Sequence, residues 1–432
     1  MSTSAEVTGP LSDRQVRRIL PIAIVLTWFG PFSMDAYTPA FPQIQEYFGT
    51  SATMVQLTLG TTLVGLALGQ LVAGPLSDRF GRRRPLVVGL CGYVVASLLC
   101  AFASSVEMLV LARLAQGLTA ATGIVIARAI GRDVHSGPAL ARFYSLVAAA
   151  TALAPMIGPV TGAAMVQAGL VWRWIFGLTV VLGVVGLVLS VAVLPETHPA
   201  LIGGRARTVP RQARVPAHLL RRPHVLAAAG VLGLCGAAMI ANLAGLPFYL
   251  QEERGLGPLV YAGAFTVGAL CLISGSNLSR LLQRRILPQR LLTVAVPVML
   301  TVAVLFALAM QARAPLFLVL PGFCALMACW GFLNPNAMAF GMTVERTAAG
   351  RASAVLGLAQ FGFAAASAPL VGIVPRVAGV PSMAVVTVSC IVLGALVHFA
   401  LLRPARVSAA RWAGPVAEPV PAARGTVPTS PL

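Results

Sequence analysis

Two ionisable residues, Asp35 and Arg113, lie inside stretches of sequence that are otherwise apolar. An ionised side chain in the hydrocarbon of a membrane costs about 2.5 kcal/mol or more, so such a residue is a candidate for function. Desolvation favours the neutral form of a carboxyl group, whereas a nearby guanidinium favours its charged form. The two residues therefore predict a proton-binding site, with Asp35 as the proton acceptor and Arg113 as the opposing charge.

Simpler roles for both residues stay open at this point. Asp35 can cap the end of its helix near water, and Arg113 can anchor neighbouring helices to one another. Counted at 1.5 Å per residue, both are predicted to lie in the outer half of the membrane at similar depth. They can therefore form an ion pair or act on one another through a shared cavity.

The elements that carry these residues are apolar segments of membrane-spanning length. The chain is 58% hydrophobic and only 10% charged, whereas a soluble domain is about 25% charged. A helix crosses a bilayer with about twenty apolar residues. Twelve such segments are predicted, at 17–39, 53–76, 85–104, 108–131, 141–168, 172–194, 224–250, 259–281, 287–310, 315–342, 352–375 and 380–402. The sequence thus predicts an all-α integral membrane protein.

A basic interruption divides these segments into two sets of six. Residues 201–223 carry Arg205, Arg207, Arg211, Arg214, Arg221 and Arg222 without any acidic residue. We therefore predict a cytoplasmic tail at 1–16, a six-helix bundle at 17–200, a basic linker at 201–223, a second bundle at 224–403 and a disordered tail at 404–432.

The distribution of Arg predicts the orientation in the membrane. With the N-terminus inside, all but five of the 31 basic residues fall on the cytoplasmic side, the exceptions being Arg113, Arg173, Arg254, Arg313 and Arg376. The positive-inside rule then places both termini in the cytoplasm. Because the Arg residues cluster in short loops, the net charge of +19 does not indicate nucleic-acid binding.

A defined motif lies between the second and third segments. Residues Gly74–Leu86 read GPLSDRFGRRRPL, in which Gly81 permits a tight turn and Asp78 can cap a helix or pair with an Arg such as Arg132. The order matches the cytoplasmic signature of the major facilitator superfamily, G-x-L-x-D-R-x-G-R-[KR]-[KR]. Arg113–Gly117 resembles the family's R-x-x-Q-G element, and Ala154–Gly162 resembles the G-P-x-x-G element of its antiporters.

The resemblance implies a major facilitator fold of twelve helices in two pseudo-repeated bundles. A faint internal repeat agrees with it, since Gly275–Arg285 aligns with Gly74–Arg84 at an offset of 201, with Ser279 in place of Asp78. The end of the first segment, Asp35–Pro42, is similar to the D-x-Y-x-P-x-x-P element of Bcr/CflA-type drug:proton antiporters. Shorter matches to that group occur at Gln56–Leu59, Gly69–Leu71, Arg132–Asp133 and Asn334–Ala337.

These resemblances imply a set of site residues. Control of the conformational change is implied for Gly74, Asp78, Arg79, Gly81, Arg82, Arg132, Gly158, Pro159 and Gly162. Polar and aromatic residues within the spans are candidates for binding substrate, namely Tyr37, Asn242, Trp330, Asn334, Asn336 and Gln360, with Phe248 as a further aromatic. Hydrogen bonds between helices explain the amides equally well.

The resemblance to these antiporters implies export of small, largely apolar drugs such as chloramphenicol or bicyclomycin, driven by the proton gradient without a cofactor. Expected partners are the drug, protons and lipids, with no nucleic acid, for a functional monomer in a bacterial cytoplasmic (inner) membrane. The alternative within transport is a sugar or amino acid carrier of the same fold. A membrane enzyme is disfavoured because no hydrolase or metal-ligand constellation occurs, and no phosphate-binding G-x-x-x-x-G-K-[ST] motif supports ATP-driven transport.

Overall fold

Membrane-length helices make up nearly all of the chain that the computed structural model describes, which is residues 13–198, 201, 223–342 and 349–401. Twelve candidate spans are present in these residues, and the twelve predicted segments are confirmed. Nearly all of the predicted linker at 201–223, the tail at 404–432 and most of the tail at 1–16 lie outside the described residues.

The first half contains eight helices, because two of its spans are each built from two helices. In chain order they are α1 Asp13–Asp35, α2 Phe41–Phe48, α3 Ala52–Phe80, α4 Arg83–Ala101, α5 Val106–Val134, α6 Gly137–Thr151, α7 Ala154–Gln167 and α8 Arg173–Ala192. A short 3₁₀ turn, Thr38–Ala40, joins α1 to α2. The first span therefore extends to Phe48, beyond the predicted end at residue 39.

The fifth span is interrupted between α6 and α7. Pro155 stands at the start of α7 and has no N–H to continue the hydrogen bonding of α6. Side chains of α1 form hydrogen bonds with the last residues of α6: the Trp28 indole N–H donates to the Ala150 carbonyl, and the Thr27 hydroxyl accepts from Thr151. The end of α7 can thus pack at its own angle against the end of α1.

The second half repeats the plan with six helices. They are α9 Pro223–Phe248, α10 Pro258–Leu282, α11 Pro288–Gln311, α12 Leu316–Gly341, α13 Ala349–Ile373 and α14 Ser382–Leu401. A π-helical turn, Tyr249–Glu253, extends α9. Corresponding helices pack alike in the two halves: Gly117 of α5 lies against α3, and Gly331 of α12 lies against α10, each where a side chain would overlap the neighbouring backbone.

The two ends of the helix bundle differ in how the halves meet. We call the end that holds Gly74–Arg84 the motif end, and the opposite end, which holds Thr38 and Tyr261, the closed end. In the described part of the chain, the hydrogen bonds that cross between the halves lie at the closed end. The helices α3 and α13 also approach there, with Gly60 against the Ala365 carbonyl.

Candidate functional site

Asp35 occupies the C-terminal end of α1 and is buried, with 7% of its surface exposed. A Cβ at Gly158 of α7 would lie 3.1 Å from the Asp35 Cβ, and one at Gly162 would overlap the Ala36 carbonyl oxygen. The four-residue spacing of these glycines therefore lets α7 lie directly against the acid. Pro159, between them, is also buried.

Arg113 is fully buried at the centre of a polar cluster in the first half. Its guanidinium donates to the Ser33 carbonyl at 3.0 Å and to the Gln116 side chain. The guanidinium carbon also lies 4.0 Å from the centre of the Tyr37 ring. Gln116 in turn donates to Ser97 at 2.8 Å, which connects α5 to α4.

The structure does not join Asp35 and Arg113 as an ion pair. Asp35 lies against α7, whereas the Arg113 guanidinium bonds the Ser33 carbonyl of α1 and Gln116 of α5, and no ion pair to Asp35 or Arg113 occurs among the described residues. Arg113 instead has two buried nitrogens, Nε and Nη2, without a hydrogen-bond partner in that part of the chain. Arg113 thus anchors α1 to α5, and Asp35 is a buried acid to which no described cation is paired.

The halves meet beside Asp35. Thr38 donates from its hydroxyl to the Asp35 carbonyl at 2.8 Å, and the same hydroxyl is 2.9 Å from the hydroxyl of Tyr261 on α10. Gln251 of the π-helical turn donates to the Pro39 carbonyl at 3.0 Å. Phe41 and Phe248 add an aromatic contact with ring centres 5.9 Å apart. Sequence reasoning missed Thr38 and Tyr261, which are 223 positions apart in the chain.

The motif end contains a network of charges centred on Arg82, which is 5% exposed. Its guanidinium bonds Asp133 at 2.7 Å and Asp78 at 2.6 Å. Asp78 lies in the last turn of α3, so it does not cap a helix, and its partner is Arg82 instead of the expected Arg132, which is exposed. Local geometry explains this: Arg82 follows Asp78 by four residues across the turn.

Glu196, just after α8, completes this network. Its carboxylate accepts from the backbone N–H of Arg82 at 2.9 Å and from that of Arg83 at 3.2 Å, where α4 begins. Burial opposes ionisation of Glu196, but four backbone N–H donors outweigh it and hold the pKa of Glu196 below its usual range. A Cβ at Gly81, which has φ +85°, would lie 2.6 Å from this carboxylate.

Sequence reasoning did not connect Asp133 or Glu196 with Arg82. Their signal was that each stands at the end of a span on the same predicted side as the Gly74–Arg84 motif. Of the other motif residues, Gly74 has open space around its Cα, and Arg79 lies over the ring of Phe80 at 5.2 Å.

The repeat of the motif in the second half forms an uncharged network. Asn336 donates to the Ser279 hydroxyl at 2.7 Å, and Gln283 donates to Asn336 at 3.0 Å. At the offset of 201, Ser279 and Gln283 stand where Asp78 and Arg82 stand in the first half. Asn336 therefore lies at the motif end, in a helix contact, and not on a cavity wall.

The proposed substrate residues are not all brought together. Trp330 and Gln360 both contact the position of Gly236, with Trp330 3.2 Å and Gln360 3.7 Å from a Cβ built there. Asn242 is fully buried and donates to Thr387 at 2.9 Å, which ties α9 to α14. Tyr37 is buried against Arg113 and is not on a cavity wall in this conformation, and Asn334 is partly exposed.

No group of three or more His, Cys, Asp or Glu in the described ranges is placed to hold a metal ion. The described side chains form a buried acid at Asp35 and hydrogen-bond networks at the two ends of the bundle.

Comparison with known proteins identifies the family. The Major Facilitator Superfamily profile matches residues 23–370. This chain is a member of the Major Facilitator Superfamily. It is 34% identical over 381 residues to a protein described as an uncharacterized MFS-type transporter, YdgK of Bacillus subtilis, covering 88% of this chain and 94% of that protein.

Two further relatives are named for resistance. The chain is 29% identical to the multidrug resistance protein MdtL of Klebsiella pneumoniae, covering 79% of this chain and 85% of MdtL. It is 39% identical to a chloramphenicol resistance protein of Pseudomonas aeruginosa over 175 residues, which cover 40% of this chain and 41% of that protein.

A solved structure agrees in fold. The xylose transporter XylE of E. coli, in a partially occluded inward-open conformation, superposes with a TM-score of 0.70 at 13% identity, covering 90% of this chain and 98% of XylE. At this identity the likeness concerns the fold alone, and the major facilitator fold predicted from the sequence is confirmed.

Proposed function

We propose that this transporter is a proton-coupled exporter of small, largely apolar drugs, of the Bcr/CflA type. The observation that carries the proposal is the position of Asp35: an acid that is buried where the two halves meet and has no paired cation among the described residues. A carboxyl group at such a place loses its water when the halves close and regains it when they part. Its protonation is thereby linked to the conformational state.

The nature of the substrate is inferred from the relatives and from the side chains. Two relatives are named for multidrug or chloramphenicol resistance. On the second half, Trp330 and Gln360 offer one aromatic surface and one amide beside Gly236, which suits an apolar compound with few hydrogen-bonding groups. The buried amides Asn242 and Asn336 are already bonded to other helices, so they do not support a sugar site.

The proposal is tested by drug accumulation in proteoliposomes or everted vesicles under an imposed pH gradient, with chloramphenicol as the first probe. Asp35→Asn is expected to abolish gradient-driven accumulation, and a protonophore is expected to do the same to the native protein. Glu107→Gln is the matched control, because Glu107 is an exposed acid in the first turn of α5. If Asp35→Asn still concentrates drug in a gradient-dependent way, Asp35 is not the coupling acid.

The same proposal includes the orientation and the working unit: a monomer in the bacterial cytoplasmic membrane, with both termini in the cytoplasm. The orientation follows from the concentration of Arg at the motif end. Reporter fusions at Leu201 and after the C-terminus should both report cytoplasm. A signal from the outer side at either position would reverse the assignment.

A further inference from the structure

The closed end contains a hydrogen-bond relay that crosses between the halves and ends on Asp35. The Thr38 hydroxyl has one hydrogen, and it donates that hydrogen to the Asp35 carbonyl at 2.8 Å. The 2.9 Å bond between Thr38 and Tyr261 must then be donated by Tyr261. The direction of the relay is therefore fixed, from Tyr261 in the second half, through Thr38, to the backbone of Asp35.

The Tyr261 side chain is fixed in place by burial and by ring packing. It lies in the first turn of α10, which begins at Pro258, and it is fully buried. Its ring packs against Phe265 with ring centres 5.8 Å apart. The other hydrogen bonds that cross at this end in the described chain, from Gln251 to Pro39 and from Gln56 to Ala244, end on carbonyls that do not belong to Asp35.

Breaking the relay exposes buried hydroxyl groups, which is unfavourable unless water replaces the lost partners. Water that reaches Tyr261 and Thr38 also reaches the end of α1. Formation of the hydrogen bond between Tyr261 and Thr38 and removal of water from Asp35 therefore occur together. The closed end favours the protonated acid, because an ionised carboxylate buried without a partner is unfavourable.

The helices around Asp35 supply no charged partner for its ionised form in the described part of the chain. Among its neighbours, α7 contributes Gly158 and carries no titratable side chain, and α10 contributes the hydroxyl of Tyr261. The nearest cation on α5, Arg113, is bound to Ser33 and stacked on Tyr37. No described charge on these elements pairs with an ionised Asp35.

We propose that Tyr261 is a positioning residue that holds the closed end shut over Asp35, so that protonation of Asp35 stabilises closure through the relay to Thr38. The effect of Asp35 protonation on closure rests on the proposed function. The hydrogen bond from Tyr261 to Thr38, which we call the latch, does not. In an exporter that exchanges drug for protons, the protonated protein would then favour the conformation that is closed on the outer side, so the proton bound from outside moves inward.

Hydrogen–deuterium exchange of the full chain in lipid nanodiscs tests the latch without drug or gradient. Tyr261→Phe removes the hydroxyl alone, and it is expected to raise opening of the segments around residues 36–48 and 249–262 about five-fold, as for loss of one buried hydrogen bond. Tyr249→Phe is the matched control, since the Tyr249 hydroxyl accepts from Arg254 within the second half. Unchanged exchange in Tyr261→Phe, or an equal rise in Tyr249→Phe, overturns the proposal.

Two more variants separate the latch from the coupling. Thr38→Val should raise exchange at least as much as Tyr261→Phe, because it removes both hydrogen bonds of the relay, and the double variant should not exceed Thr38→Val. Asp35→Asn, a neutral acid mimic, should lower exchange at the closed end in the native background but not in Tyr261→Phe. Additive effects of Thr38→Val and Tyr261→Phe overturn the relay. If Asp35→Asn still lowers exchange at the closed end in the Tyr261→Phe background, protonation of Asp35 does not act through the latch. That conclusion holds whatever the transport assay shows.

Discussion

The guanidinium of Arg113 is stacked on the ring of Tyr37, with its central carbon 4.0 Å from the ring centre. A buried cation normally requires a carboxylate, but here an aromatic face, the Ser33 carbonyl and the Gln116 side chain take that place. Because Tyr37 follows Asp35 by two residues, the stack fixes the end of α1. Arg113 thereby positions the segment that carries the acid without neutralising it.

Loss of the Tyr37 ring should therefore destabilise the first half. Tyr37→Leu removes a desolvated cation–π contact of about 2 kcal/mol, and it should lower the melting temperature in detergent by several degrees. Tyr37→Phe keeps the ring and loses only the 3.1 Å hydroxyl contact with Thr58, so it should remain close to the native protein. Equal losses in the two variants would assign the effect to the hydroxyl.

The glycines of α7 should differ in their tolerance of a methyl group. Gly162→Ala should impair folding and transport more than Gly158→Ala, because its Cβ would overlap the Ala36 carbonyl whereas that of Gly158 would lie 3.1 Å from the nearest atom. Gly177→Ala on α8 is the control, with its nearest neighbour at 3.8 Å. Expression level and transport rate are the measurements, and an equal tolerance of all three would rule out close packing of α7 on Asp35.

At the motif end, Asp133→Asn should slow transport more than Asp78→Asn. The Asp133 side chain is 9% exposed and meets Arg82 with both oxygens, whereas that of Asp78 is 50% exposed and meets it with one. Loss of the more buried carboxylate leaves the buried guanidinium of Arg82 less well compensated, which is more destabilising. Neither variant should change the substrate preference, since Asp78 and Asp133 lie at the motif end of the first half and Trp330 and Gln360 lie in the second half. A changed drug preference with a normal rate would contradict this role.

Glu196 should make the motif end sensitive to acid. Its lowered pKa means that its contribution to stability is complete at neutral pH and is lost as the pH falls from about 4.5 through the lowered value. Thermal stability in detergent, followed from neutral pH to about pH 3, should therefore decline more steeply in the native protein than in Glu196→Gln. Parallel curves would show that Glu196 does not contribute.

The sequence predicted the number of spans and the two halves because hydrophobic length is a local property. It also led to Asp35, since an acid inside an apolar segment stands out, and to Asp78 and Arg82 through an ordered motif. It did not lead to Asp133 and Glu196 as partners of Arg82, because ion-pair partners are chosen by tertiary contact. The relay from Tyr261 to Thr38 had no local signal, since neither residue type is unusual in its segment.

The two repeats differ in how freely their motif-end residues can be exchanged. In the first half, replacing Asp78 or Asp133 leaves the Arg82 guanidinium with a single carboxylate, and replacing Arg82 leaves both carboxylates without their cation. In the second half, Ser279, Gln283 and Asn336 are neutral, and replacing one removes a hydrogen bond between uncharged groups. A single substitution in the first half therefore disturbs a charge, whereas one in its repeat disturbs only neutral hydrogen bonds.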